Sequence, residues 1–179
     1  MRAPAAALLV AVGLTAREAQ GTPQVTSDLT LGGGARLSPE GQREGLFAFG
    51  ARADVLFGGR GPHVPRVGPY LSVRTDDFSD LSLSLGASVL LPVTSTFPVV
   101  LSAGTMGRAL AGDPTFGVSG RLWWGTRSYN FHSVYGMTAG LWVEARVFLT
   151  EPSTDVVAGV DLDLEAFALP WIFLWNALR

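Results

Sequence analysis

The sequence predicts an all-β protein: an eight-stranded antiparallel up-and-down barrel that crosses a membrane. Three observations carry this expectation. One is strict alternation. In Val160 to Leu169 (V-D-L-D-L-E-A-F-A-L), Val160, Leu162, Leu164, Ala166 and Ala168 share one face of an extended strand, and Asp161, Asp163 and Glu165 share the other. A second is composition: 16% charged against 47% hydrophobic residues, where a water-soluble domain carries about a quarter charged. The third is length. Eight alternating segments can be drawn, mostly of ten or more residues; a tilted strand needs about 9–11 to cross a bilayer, and soluble strands average about five or six.

Composition also excludes function classes. There is no cysteine, so disulfides, thiolate metal sites and a cysteine nucleophile are out. The formal net charge is −2, and no concentrated basic patch favours a nucleic-acid partner. Every side-chain cation other than histidine is arginine, because the chain has no lysine.

Residues 1–21 read as a secretory signal peptide: Arg2 as the positive n-region, Ala5 to Ala16 as the apolar core, and Leu14-Thr15-Ala16 or Ala19-Gln20-Gly21 as the cleavage site. The apolar run is short for a spanning helix. Residues 22–179 are then expected to form a single barrel domain.

The first segment runs from Gln24 to Leu37, with Gly32-Gly33-Gly34 as a bend or bulge rather than a phosphate loop, since no Lys-Ser/Thr follows. After the polar turn Ser38 to Glu44, the second runs from Leu46 to Phe57, setting Phe47, Phe49, Ala51, Ala53, Val55 and Phe57 against Arg52 and Asp54. The third, Val64 to Thr75, opposes Val67, Leu71 and Val73 to Arg66, Tyr70 and Arg74; Pro65 and Pro69 fit a central strand poorly. The fourth, Asp80 to Leu91, is apolar at every odd position from Leu81 to Leu91.

The fifth covers Phe97 to Ala109. No charge lies between Asp80 and Arg108, so a hydropathy window flags a helix there; the S-L-S-L alternation, Pro92 and Pro98 decide for two strands. Gly112-Asp113-Pro114 turns into the sixth, Phe116 to Arg127, and the seventh runs from Val134 to Leu149. Glu151-Pro152-Ser153 leads into the last, the acidic stretch described first.

With the apolar faces outward, the inward charges are Asp28, Arg36, Arg52, Asp54, Arg66, Arg74, Arg108, Arg121, Arg127, Glu144, Arg146, Asp161, Asp163 and Glu165. A barrel of eight strands is only wide enough for its own side chains. The expected interior is therefore a plug of bidentate arginine–carboxylate pairs, with Arg52, Asp54, Arg74, Arg121, Glu144, Arg146, Asp161, Asp163 and Glu165 as its members. A narrow channel lined by the same residues is the alternative. Phe47, Phe57, Phe97, Phe116, Trp124 and Tyr135 fall near segment ends, where a barrel carries its interfacial aromatics.

By strand count and pattern the layout resembles the small eight-stranded outer-membrane barrels of the OmpA/OmpX type, across residues 22–175. The resemblance implies the cell outer membrane as location, its lipid and lipopolysaccharide as partners, and no cofactor. Such proteins usually finish on an aromatic residue. Here the chain finishes L-W-N-A-L-R, with Trp175 four residues before Arg179 and Pro170 interrupting the closing segment, which displaces any such signal inward to Phe167–Trp175.

Some small outer-membrane barrels modify lipids. His132-Ser133 with Glu144 supplies the residue types, but adjacent strand residues point to opposite faces, and His63 has no base or nucleophile pattern around it. No catalytic residue, metal site or cofactor is therefore expected, and the chain reads as a non-enzyme. A soluble exported barrel resembling lipocalins is the second fold-level alternative. It reverses the faces, with leucines and phenylalanines lining a pocket for a small apolar ligand.

Overall fold

The structure, a computed structural model, describes residues 23–59, 63–94, 96–110, 113–126, 139–150, 152–164, 174–176 and 178. Eight strands, β1 (Gln24–Leu37), β2 (Arg43–Gly58), β3 (Arg66–Asp76), β4 (Asp80–Leu91), β5 (Val99–Leu110), β6 (Asp113–Thr126), β7 (Ala139–Phe148) and β8 (Ser153–Asp163), pair antiparallel with their sequence neighbours. β8 returns to β1, so the sheet closes. The segment from Asp80 to Arg108 is two strands and not a helix.

Register fixes the shape. From Ser27 the partners run Ala53, Leu71, Leu85, Thr105, Val118, Val147 and Thr154, and Thr154 pairs with Leu37, ten residues along β1 from the start. With strands about 4.8 Å apart and about 3.3 Å per residue, that displacement over eight strands tilts them by about 40°. Pro69 sits inside β3 facing outward; without an N–H it leaves the β2–β3 pairing open between Asp54–Tyr70 and Phe57–Val67.

Side chains alternate as the pleat requires, and the direction of each face is now fixed. Large apolar residues are exposed on all eight strands, among them Leu31, Phe49, Leu71, Leu85, Leu101, Leu122, Val143 and Val160. Apart from Arg43 at the rim of β2, outward strand positions carry no charge. The buried face holds the arginines and carboxylates instead, so the lipocalin-like arrangement does not describe this barrel.

The interior is filled partly by aromatic rings set on glycines. Three glycine pairs face each other across neighbouring strands: Gly32 with Gly159, Gly86 with Gly104, and Gly125 with Gly140. A Cβ on Gly32 would come within 2.7 Å of the Trp142 ring, and one on Gly104 within 2.6 Å of the Tyr70 hydroxyl. The missing side chains are the space those rings occupy.

One expectation from the sequence needs correcting. The last strand is Ser153–Asp163, not Val160–Leu169: Leu164 is already helical, and residues 165–173 lie outside the described residues. The same alternation extends backwards from Asp161 through Gly159, Val157 and Asp155, which moves the acidic stretch to the end of the strand. The connections are also unequal. Residues 38–42, 77–79, 111–112 and 149–152 join strands at one end (the turn end), while the longer 59–65, 92–98 and 127–138 join them at the end that holds Gln24 and Asp163 (the terminal end).

Candidate functional site: the charged lumen

The strands deliver their inward charges at staggered depths, because each step to the next strand climbs the tilted sheet. The result is a ladder rather than a ring. At the turn end Arg36 of β1 lies 3.1 Å from Asp155 of β8 and 3.7 Å from Asp80 of β4. Asp155 also meets Arg108 at 3.5 Å and Arg146 at 3.6 Å. Arg146 continues to Asp76 at 2.7 Å and to Glu144 at 3.2 Å. Glu144 takes Arg74 at 2.7 Å and Arg121 at 4.0 Å, and Arg121 ends the run on Asp161. Five arginines and five carboxylates thus form one connected, charge-balanced chain.

A second unit lies on β2. Arg52 donates to Asp54 through Nε at 2.8 Å and Nη2 at 3.0 Å, and its Nη2 also reaches the hydroxyls of Ser88 at 2.9 Å and Ser102 at 2.8 Å. Ser88 in turn donates to Asp54 at 2.6 Å. The two serines face each other across β4 and β5, so Arg52 bridges from its own strand to both. Its guanidinium lies 3.9 Å from the centre of the Tyr70 ring. Arg108 stacks likewise on Phe148 at 3.9 Å, and Arg121 on Trp142 at 4.5 Å. Such stacking suits guanidinium, which is planar and more weakly hydrated than an ammonium.

Apolar side chains close the remaining space. Leu90, Val100 and Trp123 are successive register partners across β4, β5 and β6 towards the terminal end, and they are buried with Leu56. Leu46, Ala48 and Val157 pack towards the turn end. Beside the ladder, Asp28, Arg52, Ser102, Arg121, Trp123 and Asp161 enclose a cavity of about 10 Å³. That is about the room one water needs.

Of the residues expected in the interior network, Arg52, Asp54, Arg74, Arg121, Glu144, Arg146, Asp161 and Asp163 are all buried in the lumen. Glu165 and Arg127 lie outside the described residues. Asp163 and Asp28 are direct register partners at the terminal end, apart from the ladder's main run. Sequence reasoning missed three of the five ladder carboxylates, namely Asp76, Asp80 and Asp155. The third segment as drawn stops one residue short of Asp76, Asp80 serves only as the start of the fourth, and the last segment begins after Asp155. Parity alone would have found them: Asp76 shares a face with Arg74, Asp80 with Ser82, and Asp155 with Asp161. The inward rings of Trp123, Trp142 and Phe148 fall inside the sixth and seventh segments, and counting only charges on the inward face passes over them.

Among the described residues no group of histidine and carboxylate side chains is placed to hold a metal ion. His63 is exposed in the connection after β2, and His132 and Ser133 lie outside the described residues.

No protein-family model and no curated protein matches the chain. Among solved structures it is similar to a chain described as "De novo design of transmembrane beta-barrels", at 15% identity, over 78% of this chain and 95% of that one, with a TM-score of 0.45. A likeness of that degree bears on neither role nor location.

Proposed function

We propose that this chain is a membrane-spanning barrel with a sealed lumen, exported by its first 21 residues to the outer membrane, and structural rather than catalytic. One observation carries the reading. All eight strands turn apolar side chains outward while the ionised groups lie inside, the inverse of a water-soluble barrel. A hydrocarbon surround makes that distribution favourable; water does not.

The aromatic residues support it with a length. Phe47 and Phe57 are both outward on β2, ten residues apart. At about 3.3 Å per residue and a tilt near 40°, that separation is about 25 Å along the barrel axis, the height of the apolar band of known membrane barrels. Phe97 and Trp124 pair at 5.9 Å near the terminal end, and Phe47 and Phe78 at 5.4 Å near the turn end. Outer-membrane lipid and lipopolysaccharide are the proposed surroundings. The ladder and its apolar collars support a sealed lumen, and the cavity beside Asp28, Arg52 and Asp161 has room for about one water.

Gel mobility tests the membrane reading. Extracted from the outer-membrane fraction, the unboiled protein is expected to migrate faster than the boiled one. A freely soluble protein with no mobility shift would end the proposal. Planar-bilayer recording separates plug from channel: the sealed barrel gives no steady current, and a reproducible unitary conductance would favour the narrow channel.

A further inference from the structure

The described barrel takes left-handed backbone at two side-chain-bearing residues of the β3–β4 turn. Asp77 and Phe78 have φ of 52° and 58°, and among the described residues they are the non-glycine residues with positive φ. Two successive left-handed residues make the hairpin turn that normally takes Asn-Gly. A bulky residue such as phenylalanine is a strong outlier there. The surroundings hold it in place. The Asp77 N–H donates to the Phe47 carbonyl at 2.8 Å, the Phe47 N–H donates to Asp77 Oδ1 at 2.9 Å, and the Ser79 N–H donates to the Asp76 carbonyl at 3.1 Å.

This constrained turn buries little of its phenylalanine. Phe78 is 73% exposed, its ring centre 5.4 Å from that of Phe47 and 6.4 Å from that of Phe49. The three rings sit between the apolar belt, represented next door by exposed Leu81, and a polar rim of exposed Asp77, Ser79, Glu40 and Arg43. Backbone strain that persists for so small a packing return points to a role for the side chain itself.

We propose that Phe78 is an interfacial anchor: its ring, with Phe47 and Phe49, seats the turn end of the barrel at the boundary between lipid acyl chains and headgroups. The proposal rests on the membrane-spanning reading and adds which residue sets the depth of this end. Aromatic rings favour that boundary because one side of it is apolar and the other wet. A second copy of the chain is a poorer occupant. With Phe47 and Phe49 each 39% exposed and about 200 Å² for a full ring, the patch offers about 300 Å². A stable protein interface takes about 800 Å² per partner.

The chain has no cysteine, so a single introduced one is a unique labelling site. A nitroxide on Leu85→Cys, in full-length protein refolded into phosphatidylcholine vesicles, tests the parent reading. Oxygen should collide with it readily and a water-soluble nickel chelate should not. Ready access to the chelate overturns the membrane reading, and the anchor with it. With the label in lipid, urea unfolding in the same vesicles tests Phe78 alone. Phe78→Ala keeps the left-handed strain and removes the ring, and should lower the folded-to-unfolded ratio roughly tenfold. Phe78→Gly removes ring and strain together and should fall between alanine and wild type, and Phe78→Trp should match wild type. An alanine variant as stable as wild type, or a wild-type midpoint that rises with protein-to-lipid ratio while alanine's does not, overturns the anchor; the second result assigns the patch to a second copy.

Discussion

Arg74 and Glu144 meet across the full width of the lumen. Arg74 Nη2 donates to Glu144 Oε1 at 2.7 Å and Nη1 to Oε2 at 3.3 Å, from strands β3 and β7, which lie four places apart in a ring of eight. Glu144 also neighbours Arg146 at 3.2 Å and Arg121 at 4.0 Å. One carboxylate thus ties three arginines.

Glu144→Gln should accordingly be among the most harmful single changes in the lumen. Removing one partner of a buried ion pair costs about 3–5 kcal/mol, because the charge left behind has no water to turn to. The double change Arg74→Met with Glu144→Met should recover much of that loss, since apolar pairs of similar volume often replace buried ion pairs without penalty. Urea unfolding in vesicles measures both. Equal stability of Glu144→Gln and wild type would show that the pair contributes nothing.

Cutting the ladder's cations should open it selectively. Arg74→Ser with Arg121→Ser removes two guanidinium groups midway along the lumen and leaves Glu144 and Asp161 behind. The expected result in planar bilayers is a small current that prefers cations, where wild type shows none. A silent double variant would mean the apolar collars of Leu90, Val100 and Trp123 seal the barrel unaided.

Outward positions should tolerate charge according to depth. Leu85 is near the middle of the apolar belt, and Leu91 is at its terminal-end edge. Arginine on a barrel's lipid face costs about 2–4 kcal/mol at the midplane and about 0–1 kcal/mol near the interfaces. Leu85→Arg should therefore destabilise the folded state far more than Leu91→Arg. Equal effects in a vesicle unfolding assay would contradict the orientation of the strands in lipid.

Glycines should divide by face. A Cβ on inward Gly104 meets the Gly86 Cα at 2.9 Å and the Tyr70 hydroxyl at 2.6 Å, whereas one on outward Gly120 meets nothing within 4 Å. Gly104→Ala should cost about 1–3 kcal/mol, as overpacking commonly does, and Gly120→Ala should be close to neutral. The temperature at which the unboiled gel band converts to the boiled form reads out the difference.

The architecture was legible in the sequence because a period of two is a strong signal when one face must be apolar throughout. Asp80 to Leu91 is legible to the residue for that reason. Strand ends were harder. At a rim, the outward face meets headgroups and the inward face meets water, so apolar content stops marking the strand, and the third segment ends at Thr75, one residue short of Asp76. The last strand was displaced because its apolar face continues past Asp163, and the pattern holds no marker for where pairing stops. Partners could not be read at all. That Arg146 meets Asp76 depends on the ten-residue stagger accumulated around the barrel, a property of all eight registers together.

The ladder also bears on the order of assembly. Arg74 reaches Glu144 over 70 residues of chain, Arg146 reaches Asp76 over the same span, and Arg36 reaches Asp155 over 119. None of these contacts is local to a hairpin, so none rewards a partly built sheet. Until β7 and β8 arrive, Arg36, Arg74 and Asp76 of the first strands lack their closest partners and keep only the longer pairs Arg36–Asp80 at 3.7 Å and Arg74–Asp76 at 3.8 Å. An incomplete barrel in lipid is therefore penalised twice, by unpaired strand edges and by ions short of their closest partners. Strand addition that stops at six gives no resting place, and the closing of the last seam acts as the inspection step for all the others.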